Sequence, residues 1–526
     1  MKQKNTIWLL PVLAVMIITS WSCEKNFNDL NQNTNKPTAV PPYLLVTGIL
    51  NKMVDFPTGD QDHWNQYFLI NYDYYGNNRY DFGSGSSYYT ELKNVTKMED
   101  QAKAIGLPNV NPYKAMANFF KAYYFTKMSL EMGNIPMTAA LQGSNNLTPE
   151  YDSQKKVFQQ SFQWLDSANN DLGILVAAGT NTLGGDIYFG GDLLKWQKTV
   201  NAFRLRLLIN LSKKSGDADL NIASQFSSII NNPAKYPLFQ SSDDNLQYTY
   251  SHPTNDYPET PANFGFNALR ENCSGTYIGL LTSLKDPRVF LTADPATALV
   301  ASGKSPTDFS AFVGADPGED LGKMYAKTNA GQYSLISRYR YYNTYTGEPT
   351  VIVGYPELCF NIAEAINRGW ITSGPKGNAE TYYKLGMQAS MASYNIPAAG
   401  SMPVYFLRPG ASLGTFDTYT VNVDFNNYYN QPSVAYINGA TGLTQILKQK
   451  YLALFRHSGL EAYFQFRRTG VPAFTTGAGT GNSGRIALRF QYPSNEITTN
   501  TANYQTALKN QFNSNDDING VMWLLQ

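Results

Sequence analysis

One stretch of the chain, residues 64–83, combines aromatic rings with side-chain amides and a guanidinium group: WNQYFLINYDYYGNNRYDFG. A sugar has an apolar ring face and a polar rim, so stacked aromatic rings match its face while amides and arginine match its hydroxyl groups. The same rings could instead fill the core of an irregular loop, and the sequence leaves both interpretations open. The candidate ligand-binding residues here are Trp64, Tyr72, Tyr74, Tyr75, Asn77, Arg79 and Tyr80.

A second cluster, SRYRYYNTY at 337–345, offers the same chemistry. Its candidate ligand-binding residues are Tyr339, Tyr341 and Tyr342, with Arg340 between them. Each stacking contact is worth on the order of 1 kcal/mol, so a useful affinity requires several of them. The alternative, as for the first cluster, is that some of these rings are core residues.

Two short motifs resemble catalytic or cofactor-binding signatures, but each lacks the sequence context that it needs. Residues 410–414 form G-x-S-x-G, yet Pro409 precedes them and no helical pattern follows, so we expect Ser412 in a surface loop. Residues 479–484 form G-x-G-x-x-G without a surrounding βαβ unit. His457 is the only histidine after Ser412, and no H-E-x-x-H motif is present. We predict no catalytic residue, no metal ligand and no cofactor.

The first residues have the pattern of a bacterial export signal. Lys2 and Lys4 precede an apolar run at 7–19 that is too short to span a bilayer, and mostly small residues then lead to Cys23. We expect a signal peptide at 1–22 and lipidation of Cys23, so that acyl chains anchor the mature protein to a membrane. Ordinary secretion, with Cys23 incidental, is the alternative. The Asn-rich residues 23–41 are predicted to be a flexible tether.

The composition argues against a nucleic-acid-binding protein. The formal charge is +1 and becomes about −1 without Lys2 and Lys4, so the chain has no basic footprint for a phosphate backbone. Charged residues make up only 15% of the chain, whereas 37 tyrosines are present, which suits uncharged polar ligands. After Cys23 only Cys273 and Cys359 remain, too few for a disulfide framework. Cys359 is expected to be buried and unpaired on an apolar helix face.

Apolar residues at three- and four-residue spacing predict amphipathic helices in two groups, which can stack as a superhelix of helical hairpins. Asp192 is positioned to cap the helix that follows it. The predicted helices cover about 42–53, 113–132, 154–172, 192–211, 219–231, 355–368, 379–395, 441–457, 460–468 and 502–511.

The rest of the chain is rich in turn-forming residues. Residues 232–350 are predicted to be a loop-rich insert with one short helix near 276–284, and 398–439 and 472–500 are predicted to be irregular. We expect one mostly α domain at 42–526. Its parts are a helical core at about 42–231 and 355–470, the insert at about 232–350, and an irregular C-terminal part at 472–526.

Taken in order, several segments resemble the SusD/RagB family of outer-membrane nutrient-binding lipoproteins. Among them, MGNIPMTAAL (132–141), DPRV (286–289) and RFQYPSNE (489–496) are similar to short elements of that family. The other similar segments are residues 23–42, 151–172, 191–212, 355–370 and 449–472. The motif residues that we expect to hold the fold rather than bind ligand are Trp196, Asn201, Arg204, Glu364, Arg467 and Arg468.

The resemblance implies a SusD-like fold, with tetratricopeptide-like helical pairs and a loop-rich remainder that carries much of the ligand face. It also implies a partner, a SusC-like TonB-dependent outer-membrane barrel, and a non-catalytic role in capturing oligosaccharide or peptide for import. The alternatives are a lipid-anchored glycoside hydrolase or peptidase, which needs a carboxylate pair or triad that the sequence does not reveal, and a structural or adhesive surface protein.

Overall fold

The computed structural model describes residues 39–180 and 182–526, apart from the side chains of Tyr75, Phe266 and Asn267. The predicted signal peptide, Cys23 and most of the predicted tether lie outside the described residues. Pro42–Gln526 form one compact unit. Within the described part of the chain, no helix is both long and apolar enough to cross a bilayer.

The protein is mostly helical, as predicted. In chain order the helices α1–α10 are Pro42–Asn51, Asp60–Trp64, Tyr89–Ala104, Pro112–Met132, Gln154–Ala177, Leu193–Asn210, Ile222–Asn231, Phe264–Asn267, Gly275–Ser283 and Val289–Thr292. Helices α11–α20 are Thr297–Ala301, Leu321–Asn329, Arg338–Tyr342, Tyr355–Asn367, Ala379–Ser393, Phe425–Tyr429, Ala440–Ala453, Glu461–Thr469, Glu496–Thr499 and Thr501–Phe512.

Capping side chains set the starts of the long helices. Asp192 accepts hydrogen bonds from the backbone N–H groups of Leu194 and Lys195, at 2.9 and 3.1 Å, so the predicted cap of α6 is confirmed. Asn111 caps α4 through the N–H of Lys114, and Pro112 occupies the first position, where no N–H is needed. These caps satisfy donors that the first helical turn leaves unpaired.

Consecutive helices pack against one another: α3 on α4, α4 on α5, α5 on α6, and α6 on α7. In the second group α14 packs on α15 and α17, and it also contacts α6, which joins the two groups. Trp196 of α6 is fully buried and donates its indole N–H to Asp186 at 2.9 Å. Cys359 and Cys273 are buried and unpaired, which confirms the expectation for Cys359.

Ion pairs and hydrogen bonds tie the motif residues to other parts of the fold, in keeping with the expectation that they hold the fold rather than bind ligand. Glu364 in α14 pairs with Arg468 in α18, and both side chains are buried. Arg467 donates to the backbone carbonyl of Leu488, and Arg204 pairs with Asp166 at 3.1 Å. The side-chain amide of Asn201 donates to the side-chain oxygen of Asn169 and to the carbonyl of Pro237.

The DPRV segment ties the insert to the second helical group. Asp286 and Arg288 are fully buried and form a two-point ion pair. Arg288 also donates to Ser390 at the end of α15 and to Gln449 in α17, at 2.8 and 2.7 Å. Tyr428 completes the network by donating to Asp286 at 2.6 Å.

The strands form antiparallel pairs: β1 (Phe68–Ile70) with β5 (Glu271–Cys273), β2 (Ile135–Pro136) with β3 (Tyr151–Asp152), β4 (Leu246–Tyr248) with β6 (Thr350–Val353), and β7 (Ala399–Leu407) with β8 (Phe416–Asp424). The long β7–β8 hairpin lies within 398–439, where we expected irregular structure. It forms because Met402, Val404 and Phe406 alternate toward the core.

Three further details differ from the sequence-based expectation. Helix α3 was not predicted, although Leu92, Val95 and Met98 supply a buried stripe. The insert holds more short helices than the one expected; α12, for example, begins at a cap formed by Asp320. Helix α17 ends at Ala453 rather than at His457, because the chain turns at Arg456, whose φ is +70°.

Candidate functional site

The short strand pair β1–β5 brings together residues that are far apart in the sequence. Ile70 pairs with Glu271, and the N–H of Asn71 donates to the carbonyl of Arg270 at 3.0 Å. Tyr72 follows and Arg270 precedes these paired positions, so both side chains leave the same end of the pair. The Arg270 guanidinium lies 5.0 Å from the centroid of the Tyr72 ring, within the range of a cation–π contact.

The loop that carries Tyr72 and Tyr74 is closed by Asn78. This buried amide accepts from the N–H of Ile70 and donates to the C=O of Ile70, both at 2.8 Å. It therefore substitutes for a strand partner and fixes the two ends of the loop together. Gly76 within the loop has φ +140°, and a Cβ there would come within 2.9 Å of the Ile70 side chain, so the turn requires glycine.

Three exposed rings and one guanidinium form an open surface, which we call the tyrosine platform: Tyr72, Tyr74, Tyr325 and Arg270. Tyr74 is 79% exposed, and Tyr72 and Tyr325 are each 37% exposed. The ring centroid of Tyr72 lies 5.3 Å from that of Tyr325 and 6.5 Å from that of Tyr74. Neighbouring rings at this spacing offer an apolar surface on which sugar rings can stack, with the Arg270 guanidinium beside Tyr72.

Tyr80 is a core residue, which removes it from the candidate site. It is 1% exposed, its hydroxyl donates to the carbonyl of Trp64 at 2.9 Å, and its N–H donates to Thr480. The reason is local: residues 78–82 are extended, so Asn78, Tyr80 and Phe82 point inward while Arg79 and Asp81 point outward.

Trp64 is half-buried and packs on two core rings. Its centroid is 4.6 Å from that of Phe82 and 5.3 Å from that of Phe490, and its indole N–H donates to the carbonyl of Arg79 at 3.2 Å. Through these contacts Trp64 packs beneath residues 79–82 and helps to hold them in place. We therefore leave it out of the platform.

Asn77 and Arg79 are exposed, as a ligand-binding role requires, but both also serve the loop. The side-chain oxygen of Asn77 accepts from the N–H of Arg79 at 2.9 Å, and the guanidinium of Arg79 pairs with Asp81. The side chain of Tyr75 lies outside the described residues.

Ionisable groups are buried behind this surface. The Arg456 guanidinium lies 5.1 Å from the ring of Phe68 in β1 and pairs with the buried Glu259. Asp62 in α2 is also buried, and its carboxylate accepts from the N–H of Thr58 at 3.1 Å. Burial raises the pKa of Asp62 to about 7, although the positive charge of Arg456 opposes the shift.

Comparison with known proteins places most of the chain in one protein family. A family model for SusD-like proteins, described as starch-binding and associating with the outer membrane, matches residues 34–493. The chain belongs to the SusD-like family. No curated protein sequence matches it significantly.

Solved SusD-like structures share this fold. A SusD homologue from Bacteroides fragilis superposes with a TM-score of 0.79 at 30% identity, covering 93% of this chain and 100% of that chain. A Bacteroides vulgatus outer-membrane protein, described in connection with nutrient binding, gives 0.76 at 30% identity with the same coverage. A chitin-binding SusD homologue from Flavobacterium johnsoniae gives 0.67 at 19% identity, covering 92% and 98%, which establishes the likeness of fold alone.

Of the three candidate tyrosines in the second cluster of this SusD-like chain, Tyr339 is the exposed one. Tyr341 and Tyr342 are fully buried, so they too leave the candidate site. Five residues of the cluster form the single helical turn α13, in which successive side chains point about 100° apart, so Tyr341 points away from Tyr339. Tyr342 is buried by a tertiary contact, with its ring edge-on to that of Phe264 at 5.7 Å. Tyr341 instead stacks its ring 4.6 Å from the Arg456 guanidinium.

Three residues beside the exposed tyrosines were missed from the sequence: Tyr325 and Arg270 on the platform, and Tyr405, which stacks on Tyr339. The alternation of apolar residues in β7 is a signal that could have identified the hairpin and so placed the half-buried Tyr405 on its outer face. Nothing in the local sequence connects Tyr325 or Arg270 to Tyr72, because only the tertiary fold brings α12 and β5 to the loop.

The described residues do not assemble the catalytic groups considered for this SusD-like chain. Ser412 is exposed in the turn of the β7–β8 hairpin, whereas His457 is buried with its Nε2 atom 2.6 Å from Glu348. The glycine-rich segment packs against another loop, with the N–H of Gly479 donating to Gly318 at 3.2 Å. No cluster of His, Cys, Asp or Glu suited to a metal ion occurs in the described part of the chain.

Proposed function

We propose that this protein is a cell-surface lipoprotein that captures oligosaccharides on the tyrosine platform and passes them unchanged to a transporter. The observation that carries the proposal is the match of residues 34–493 to a family described as starch-binding and outer-membrane-associated. The exposure and spacing of Tyr72, Tyr74 and Tyr325 support it, because they provide several stacking contacts on one surface.

The location and the partner extend the proposal. Acylation of Cys23 would anchor the chain, and the residues that follow would give the compact unit reach from the membrane. We propose a SusC-like TonB-dependent barrel as the transporter, since a binding protein held at the outer membrane needs a route for its ligand. Gentle solubilisation of the membrane should recover such a barrel together with this chain.

Calorimetric titration of residues 24–526 with maltoheptaose, chitohexaose and other neutral oligosaccharides tests the binding role. We expect at least one to bind, and Tyr72→Ala and Tyr325→Ala each to weaken that binding by about fivefold, the equivalent of about 1 kcal/mol. Tyr43→Ala is the matched control, because Tyr43 is an exposed tyrosine on α1 that is not part of the platform. This variant should bind the oligosaccharide with unchanged affinity.

Chromatography of the sugar after long incubation separates binding from catalysis. An intact oligosaccharide is expected, because the described residues do not bring a nucleophile or a general acid–base pair to the tyrosine platform. Cleavage of the ligand, or equal affinity in all three variants and the native chain, would contradict the proposed function. If the protein bound peptides and no oligosaccharide, the ligand class in the proposal would be wrong and peptides would take its place.

A further inference from the structure

A cleft of about 530 Å³ lies apart from the tyrosine platform, between α13, the loop at 343–349, the end of α15 and strand β7. Its volume is within the range of about 300–1,000 Å³ that is typical of small-molecule sites. The cleft shares no residue with the platform, so any ligand it holds would occupy a separate site.

Aromatic rings form one wall of the cleft. Tyr339 stacks on Tyr405 with ring centroids 4.2 Å apart, and Phe416 of β8 meets Tyr339 edge-on at 5.2 Å. The hairpin thus holds Tyr339 in one orientation while more than a third of the residue stays exposed. A ring fixed in advance loses little conformational entropy when a ligand stacks on it.

Two asparagines approach the cleft from different elements. Asn343 follows α13, and Asn395 follows α15, where its φ of +59° is a conformation that asparagine tolerates. Both side chains are exposed, and within the described residues neither side-chain amide makes a hydrogen bond. Each amide therefore has a donor and an acceptor available for a hydroxyl group.

The cleft has no net charge. Among the described residues that line it, the charged ones are Arg340 and Glu348, which form a hydrogen-bonded ion pair. The Arg340 guanidinium also lies 4.5 Å from the ring of Tyr394, and His457 holds the other carboxylate oxygen of Glu348 at 2.6 Å. Although burial opposes it, Arg340 and His457 keep the pKa of Glu348 below its usual range, so the carboxylate stays ionised and cancels the arginine charge.

We propose that this cleft is a second saccharide site, specific for uncharged sugars, in which a pyranose ring stacks beside Tyr339 and its hydroxyls bond to Asn343 and Asn395. The proposal rests on the proposed function for the saccharide class, but not on the platform. An acidic sugar is disfavoured, because its carboxylate would face Glu348 and find no unpaired cation in the cleft.

Hydrogen–deuterium exchange of residues 24–526 with saturating trisaccharides tests the two sites separately. The probes are neutral trisaccharides of glucose, N-acetylglucosamine, xylose and mannose, and trigalacturonate as the acidic probe. At least one neutral probe should slow exchange at 337–349 and 393–405 as well as at 71–77 and 321–329. Trigalacturonate should leave the cleft segments unprotected.

Variants then assign the protection. Tyr339→Ala should abolish protection of the cleft segments and leave that of the platform segments, whereas Tyr339→Phe should retain both. The double variant Asn343→Ala/Asn395→Gly leaves the aromatic packing intact. Glycine replaces Asn395 because the φ of that residue is positive. The double variant should raise the half-saturating concentration for cleft protection by at least about fivefold.

Each alternative outcome has a distinct meaning. Protection of the platform segments alone would overturn the second site and leave the proposed function standing. Protection of neither surface by any neutral probe would overturn both proposals. Equal protection of the cleft by trigalacturonate would overturn its specificity for uncharged sugars.

Discussion

At the scale of single residues, Asp62 shows how burial controls a charge near the site. The carboxyl group is 4% exposed, and its nearby cation, Arg456, is already paired with Glu259. Desolvation therefore dominates, and the pKa of Asp62 rises from 3.8 to about 7. The folded protein holds this proton more tightly than the unfolded chain does.

This shift predicts that Asp62 makes the protein less stable as the pH rises. The folded pKa is raised, so the contribution to the free energy of unfolding is complete below about pH 4 and is lost as the pH passes through 7. The slope from one such group is at most about 1.4 kcal/mol per pH unit. Urea unfolding between pH 6.5 and 8.5 should show a falling stability that Asp62→Asn makes less steep.

That window avoids the neighbouring His63, whose pKa burial lowers to about 4 and whose effect on stability has the opposite sign below pH 6.5. An identical pH dependence in the native chain and Asp62→Asn would show that Asp62 titrates as an ordinary exposed carboxyl group.

At the scale of elements, the loop that carries Tyr72 and Tyr74 depends on the side chain of Asn78 for its closure. Asn78 bonds to both backbone groups of Ile70, and Ile70 is buried, so no water replaces a lost partner. The exposed rings at Tyr72 and Tyr74 are placed by this closure and by the β1–β5 pair.

Asn78→Ala should therefore lower the free energy of unfolding by about 2–4 kcal/mol, since it leaves two buried backbone groups unpaired. It should also speed hydrogen exchange at 71–77 and weaken oligosaccharide binding. Asn77→Ala is the matched control for stability. The side-chain amide of Asn77 is exposed and accepts one hydrogen bond, from the N–H of Arg79, so its loss should lower the free energy of unfolding by less than about 1 kcal/mol. Equal costs for the two variants would rule out the closing role of Asn78.

The helices could be predicted because their signals are local. A capping side chain such as Asp192 and an apolar stripe such as that of α4 lie within a few residues of the structure they specify. The β7–β8 hairpin was missed although Met402, Val404 and Phe406 alternate, because Gly and Pro residues around them favoured an irregular assignment.

The candidate site was only partly predictable for the same physical reason. The aromatic clusters were visible as composition, but the role of each ring depends on its local geometry: Tyr80 points inward from an extended segment, and Tyr341 and Tyr342 point inward from a helical turn. Tyr325 joins Tyr72 only through the tertiary fold, which no spacing in the sequence encodes.

At the scale of the whole molecule, the two groups of packed helices form a frame that supports the loop-rich segments. Buried ion pairs such as Glu364–Arg468 join helices within the frame, and Arg288, which pairs with Asp286, joins the insert to the frame by donating to Ser390 and Gln449. Removing one partner from such a pair leaves an uncompensated buried charge, so these residues belong to the stability of the fold. The rings of Tyr72, Tyr74 and Tyr325 are exposed and take no part in these buried ion pairs.

The crystal structure of the chain with its best-bound oligosaccharide tests the central claim most directly. We expect an intact sugar chain lying across the rings of Tyr72 and Tyr325, with at least one sugar ring stacked in contact with each. A sugar bound with neither ring, or one found cleaved, would contradict the account.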